Sequence, residues 1–126
     1  MSIQQLKDRT QKLGVDIILA CRDHFSNSEA DRIIRRQLIR CSTSVGANYR
    51  AASRGKSGKD FINKLKIVEE EADATIYWIE VLNKTKEKDG IVLFKKEYRE
   101  ADELLSIMIA SIRTARKSLK NKGNNE

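Results

Sequence analysis

Three observations predict an all-α fold, an antiparallel up-down-up-down four-helix bundle. The 126-residue chain contains no proline, where average usage of about 5% would supply roughly six. Apolar residues recur at steps of three and four through four long segments, the period of a helix that buries one stripe. Short polar breaks separate the segments, and short connections make sequence neighbours antiparallel. The length fits one domain with a modest core. Charged residues make up 34% and apolar residues 40%, and that apolar share favours a solvated bundle over a disordered chain.

The first helix is expected over 3–25, with Ile3, Leu6, Thr10, Leu13, Ile17, Ala20 and His24 on one stripe and Ile18, Cys21 and Phe25 widening it. Ser26 and Glu29 then have capping-box spacing for a second helix over 29–53. Its stripe is Ala30, Ile34, Leu38, Cys41, Val45, Asn48 and Ala52, and Gly55 and Gly58 mark a turn. The third helix, over 59–86, aligns Phe61, Leu65, Val68, Ala72, Ile76, Ile79 and Leu82. After the break at Lys86 to Gly90, the fourth runs over 91–119 through Ile91, Phe94, Tyr98, Ala101, Leu105, Met108, Ile112, Ala115 and Leu119. The bundle thus spans 1–119, and the basic tail 120–126 is expected to be disordered.

Ile67, Ala74, Tyr77, Trp78 and Val81 fall away from the main stripe of the third helix, as do Leu93, Leu104 and Ile107 from that of the fourth. This excess over what a monomer needs points to a homo-oligomer buried through that extra face, with a broad stripe in one thick core as the other reading. Asn48 sits on the apolar stripe, where a buried Asn fixes register or oligomer state.

No enzyme chemistry assembles. His24 is the only histidine, so the paired Glu-x-x-His motifs of a di-iron bundle are excluded and a Cys or Ser nucleophile has one candidate base. Glu69, Glu70 and Glu71 point in diverging directions and read as solvated or ion-paired groups. We expect no metal, no cofactor and no small-molecule substrate. Cys21 and Cys41 are out of register by roughly 9 Å along antiparallel helices at 1.5 Å per residue, beyond the separation of about 7 Å that a disulfide tolerates. Free, buried thiols are expected. No targeting signal or membrane-length apolar run appears, so a cytoplasmic location and no membrane partner are expected.

The 25 Lys and Arg outweigh 18 Asp and Glu, leaving +7, and an anionic partner follows from that imbalance. Arg32 to Lys59 holds eight basic residues and no acidic one, whereas Asp60 to Glu80 is net acidic by four. Two readings stand. In one, antiparallel neighbours level Arg40 with Ala72 and Arg36 with Ile76, and the basic helix pairs with Glu69, Glu71, Asp73 and Glu80. In the other, Arg32, Arg36, Arg40, Arg50 and Arg54 form an outward ridge with only Thr43 and Ala47 between them, joined by Lys56 and Lys59 and by the basic end Arg113 to Lys122. Planar guanidinium groups on such a ridge make paired hydrogen bonds to phosphates, and nucleic acid, RNA above all, is the ligand class. No RNA-recognition motif, zinc finger or phosphate loop accompanies it, and Tyr49 on the flank is the only aromatic nearby.

The run Arg36-Gln37-Leu38-Ile39-Arg40-Cys41-Ser42-Thr43-Ser44-Val45-Gly46-Ala47-Asn48, with Asp60 to Leu65 and Glu69 to Glu80, resembles the bacterial four-helix-bundle proteins encoded in intervening sequences of 23S ribosomal RNA genes, often labelled a ribosomal-protein family. Ser44, Asn48, Phe61, Glu70, Tyr77 and Trp78 match the family pattern, whereas Tyr49-Arg50-Ala51-Ala52 departs from the acidic residue and glycine that many members carry. The resemblance implies an up-and-down bundle assembled as a homopentamer. It also implies similarity to the pentameric accessory protein of diversity-generating retroelements, which binds nucleic acid and a reverse transcriptase through a basic surface. A protein-interaction scaffold, its charges serving assembly, is the alternative function.

Overall fold

The computed structural model describes residues 1–124. It contains α1 (Ile3–His24), α2 (Glu29–Ala52), α3 (Gly58–Thr85) and α4 (Lys95–Asn124), with no strand among the described residues. Neighbours in sequence are neighbours in space, so α2 packs between α1 and α3, and α3 between α2 and α4. The predicted up-down-up-down bundle is the observed one.

Serines open the first three helices because each hydroxyl accepts an N–H that the helix leaves unpaired. Ser2 accepts from Gln5 N while the Gln5 side chain accepts from Ser2 N, a complete capping box. At α2 the cap is Ser28, which accepts from Asp31 N at 3.2 Å, and not the expected Ser26. Ser26 serves elsewhere. Its N–H and hydroxyl both donate to Asp31 Oδ2 at 2.8 Å. Ser57 opens α3 by accepting from Asp60 N.

α4 begins at Lys95 rather than at the expected residue 91, and the reason is a side chain from α3. Asn83, fully buried, accepts from Val92 N at 3.0 Å and Leu93 N at 2.8 Å, and donates to the carbonyls of Ile79 and Leu93. These bonds take the N–H groups of 92–93 into a loop, which ends at Phe94 with φ of 60°. The Phe94 ring drops into the core, 6.2 Å from Phe25 and 5.6 Å from His24 between ring centres. At its other end α4 passes 119 and runs to Asn124, so 120–124, expected to be disordered, are helical. Residues 125 and 126 of that tail lie outside the described residues.

The core takes Leu13, Ile17, Leu38, Val45, Leu65, Val68, Ile79, Leu82 and Met108 as expected from their spacing. Several assignments shift by one position. Leu104 is fully buried and Leu105 only half, so Leu104 belongs to the core and not to an outer face. On α3, Ile62 and Thr75 are buried while Phe61 and Ile76 are half-exposed. Ile3 and Ile18 are exposed rather than part of the α1 stripe. Tyr49, placed on a flank by its angle, is 3% exposed and sits in the core. Glycine sets the α1 to α2 distance. A Cβ on Gly14 would meet Thr43 Cα at 3.1 Å, and one on Gly46 would meet Gln11 Cα at 3.0 Å, so the two backbones touch.

Both cysteines are free and buried. Burial pushes the Cys21 thiol up to about 11 and raises that of Cys41, so both stay protonated and weakly nucleophilic. Asp31 is the reverse case. The Lys86 ammonium at 2.9 Å and the Ser26 backbone and hydroxyl groups hold its carboxyl at about 2. This pair ties the start of α2 to the end of α3.

A carboxyl held below its ordinary value stabilises the fold above pH of about 4, and that contribution is lost as pH falls through about 2. Asp31→Asn should therefore lower the urea midpoint at about pH 6 and make it fall less than the parent's on acidification. Equal midpoints for parent and variant at about pH 6 would contradict the role assigned to Asp31.

Candidate nucleic-acid interface

The five ridge arginines, four on α2 and Arg54 in the turn after it, all reach solvent, but they are not equivalent. Arg40 is held inside the bundle's own charge pattern, its Nη1 3.1 Å from Glu71 and its Nε 3.0 Å from Gln37 Oε1. Arg32 Nε donates to the Asn27 carbonyl at 3.2 Å. Arg36, Arg50 and Arg54 form no ion pair among the described residues. Of the acids expected to neutralise the ridge, Glu71 alone bridges to α2 among the described residues. Glu69 instead lines a cleft with Arg113, Arg116, Lys117 and Lys120 of α4.

The densest positive charge lies at one end of the bundle, where two parts of the sequence converge. Residues 50–59 carry Arg50, Arg54, Lys56 and Lys59 with no acid, and residues 109–122 carry Arg113, Arg116, Lys117, Lys120 and Lys122 with no acid. They meet because α3 starts against the C-terminal half of α4. A Cβ on Gly58 would stand 2.9 Å from Leu119 Cδ2, so only a glycine fits there without displacing that side chain. All nine cations are exposed, and none enters an ion pair among the described residues. Lys120 and Lys122 ride on a continuous helix rather than a loose tail, which fixes their spacing relative to the turn. Exposed aromatic rings are missing from this pole, since Tyr49 is buried and Phe61 half-buried. The surface offers charge to phosphates and no platform on which bases would stack.

The expected oligomer face divides. Ile67 and Tyr77 are open to solvent at 38% and 56% exposure. Trp78 and Val81 are half-buried against their own core, Ala74 is half-buried, and the Trp78 ring meets Tyr77 edge-on at 5.2 Å between centres. Ile33 on α2, 46% exposed, adds to this face, because the Arg40 to Glu71 and Cys41 to Thr75 contacts set a register that levels it with Val81. Its sequence signal, an isoleucine beside the stripe, is indistinguishable from a core flank. Asn48 is half-buried and donates to Ser44 O at 2.9 Å and Ser44 Oγ at 2.7 Å, bonds within its own helix.

Among the described residues no three His, Cys, Asp or Glu side chains gather to hold a metal ion. No described helix is long and apolar enough to cross a membrane.

A family model described as 23S rRNA-intervening sequence protein matches residues 4–110. Most of the α4 half of the basic pole lies beyond that match. A crystal structure from Bacteroides thetaiotaomicron VPI-5482, described as a protein with unknown function from the S23 ribosomal protein family, is similar to this chain. Identity is 30% and the TM-score 0.77, over 90% of this chain and 99% of that one. No curated protein matches.

Proposed function

The chain belongs to the 23S rRNA-intervening sequence protein family, and from that premise we propose that it is a non-enzymatic, cytoplasmic nucleic-acid-binding protein whose ligand is RNA. The single observation that carries this reading is the convergence of two acid-free basic stretches, 50–59 and 109–122, at one pole. Nine exposed cations, unpaired among the described residues, seven on helices and Arg54 and Lys56 in the turn between α2 and α3, repel one another, and an anionic polymer is the ligand that relieves the repulsion. Phosphates are bound by the pole, with Arg36 and Arg32 extending the track along α2 and Arg40 serving the fold through Glu71. Binding is by charge and shape, with little sequence preference, because side chains that stack on bases are missing from the pole. The protein acts as a homo-oligomer, a homopentamer as the resemblance implies. Ile67, Tyr77 and Ile33, with Trp78 at the edge, supply one side of the contact between copies, since a ring of five joins two different faces. Each added copy repeats the pole and raises avidity. The Arg40 to Glu71 pair favours the scaffold reading for that residue alone.

Arg50→Glu combined with Arg116→Glu changes one cation on each converging stretch and leaves the core untouched, since both are exposed. In an electrophoretic titration with RNA the double variant should bind at least about tenfold more weakly than the parent. The parent's affinity should fall with salt at a slope near −0.7 to −0.9 per phosphate contacted. Parent-like binding by a folded double variant, or an affinity indifferent to salt, overturns the reading.

Tyr77→Glu should reduce the mass measured by light scattering, with helicity retained, because it puts a charge on the open part of the α3 face. An unchanged mass removes that face from the assembly.

A further inference from the structure

The seam between α1 and α4 closes at one end only. Arg9 pairs with Glu100 and Glu103, and Lys96 pairs with Asp16, which sets α1 against the N-terminal half of α4. α1 then ends at Ile3 whereas α4 continues to Asn124. The C-terminal half of α4 keeps a face with no α1 opposite it, and a groove of about 720 Å³ is left, lined by Leu6, Phe61, Ile107, Thr114, Ala115 and Leu119.

Charge decides what fits. The floor of the groove is apolar, with Ser111, Thr114 and Ser118 along α4 and Lys122 as the one cationic side chain in its lining among the described residues, too little charge to hold a phosphate chain. A second copy set face to face across a two-fold axis would bring two acid-free stretches, each with five cations over 109–122, against one another. A partner that is apolar along its centre and acidic along its edges is complementary on both counts. Lys122 borders the groove, and Lys59 directly follows Gly58 in its wall.

We infer that this groove receives an amphipathic helix of a partner protein, its apolar stripe seated on Phe61, Ile107 and Leu119 and its acidic flank turned toward Lys59 and Lys122. The helix takes the place that α1 leaves vacant and completes the packing of α4, the helix-in-groove mode of recognition. The apolar seat lies outside the proposed phosphate-binding surface, whereas Lys59 and Lys122 at its edge belong to both.

The test uses the full chain and a fluorescent peptide of about 18 residues, long enough for a stable amphipathic helix on a surface, with a Leu and Ala stripe and Glu flanks. A second peptide replaces each Glu with Lys. Thr114→Trp fills the groove from an exposed position and leaves the core alone. By fluorescence anisotropy the Glu peptide should bind saturably, the Lys peptide at least about tenfold more weakly, and the Thr114→Trp protein should lose about tenfold in affinity for the Glu peptide with its melting temperature unchanged. No binding, equal binding of the two peptides, or indifference to Thr114→Trp overturns the inference. A lower oligomer mass for the variant assigns the groove to a contact between copies, and weaker RNA binding assigns it to the nucleic-acid surface. Either result overturns it too.

Discussion

The pairing of Arg9 with Glu100 and Glu103 sets where α1 stands against α4, and the uncovered face of α4 follows from that placement. The α1 to α2 seam closes on Gly14 and Gly46, and the α2 to α3 seam carries the Arg40 to Glu71 and Lys86 to Asp31 pairs. The α1 to α4 seam is joined by Arg9, with Lys96 and Asp16 as the second point of attachment. Such pairs add little stability singly, but opposite charges at fixed positions on two helices select one register. In that register α1 ends early. The C-terminal half of α4 keeps an apolar face uncovered, while its packing on Gly58 sets its cations beside those of the α2 to α3 turn.

Charge in this protein falls into two populations. Arg9, Arg40, Lys86 and Lys96 meet carboxylates across helix seams and define helix positions, and Lys12 pairs with Asp16 within α1. Arg50, Arg54, Lys56 and Lys59, with the cations of 113–122, meet none among the described residues. Self-repulsion at a surface of this kind costs stability, whereas burial of the same surface by a polyanion releases counterions and is favourable. The proposed function is a consequence of that difference. It needs no catalytic group, and the two thiols, both raised by burial, supply no ready nucleophile.

Much of the fold is legible in the sequence because it is written in a local code. The three-four spacing of Leu13, Ile17 and Cys21, or of Val68, Ala72 and Ile79, reports helix and buried face together, and the levelling of Arg40 with Ala72 falls one residue from its true partner Glu71. What escapes the code is what tertiary structure adds. The start of α4 is moved by the amide of Asn83, which reaches across a loop to 92–93. Asn48 has the better position on a helical wheel, yet Asn83 is the asparagine that is buried. Leu104 and Leu105 differ by 100° on a helix, and only the placement of α4 against α3 selects between them. The arginine ridge is readable from angles on one helix. The pole is not, because it depends on Gly58 meeting Leu119 between segments distant in sequence.

The central claim is that one end of the bundle, built from two separate stretches, forms a single phosphate-binding surface. Lysine acetylation read by mass spectrometry, with and without saturating RNA, tests it most directly, since exposed lysines stand at both ends of the molecule. Lys56, Lys59, Lys117, Lys120 and Lys122 should be protected together, while Lys84, Lys88 and Lys95 at the other end stay reactive. Equal protection at both ends, or protection of Lys56 and Lys59 without the α4 lysines, would contradict the account.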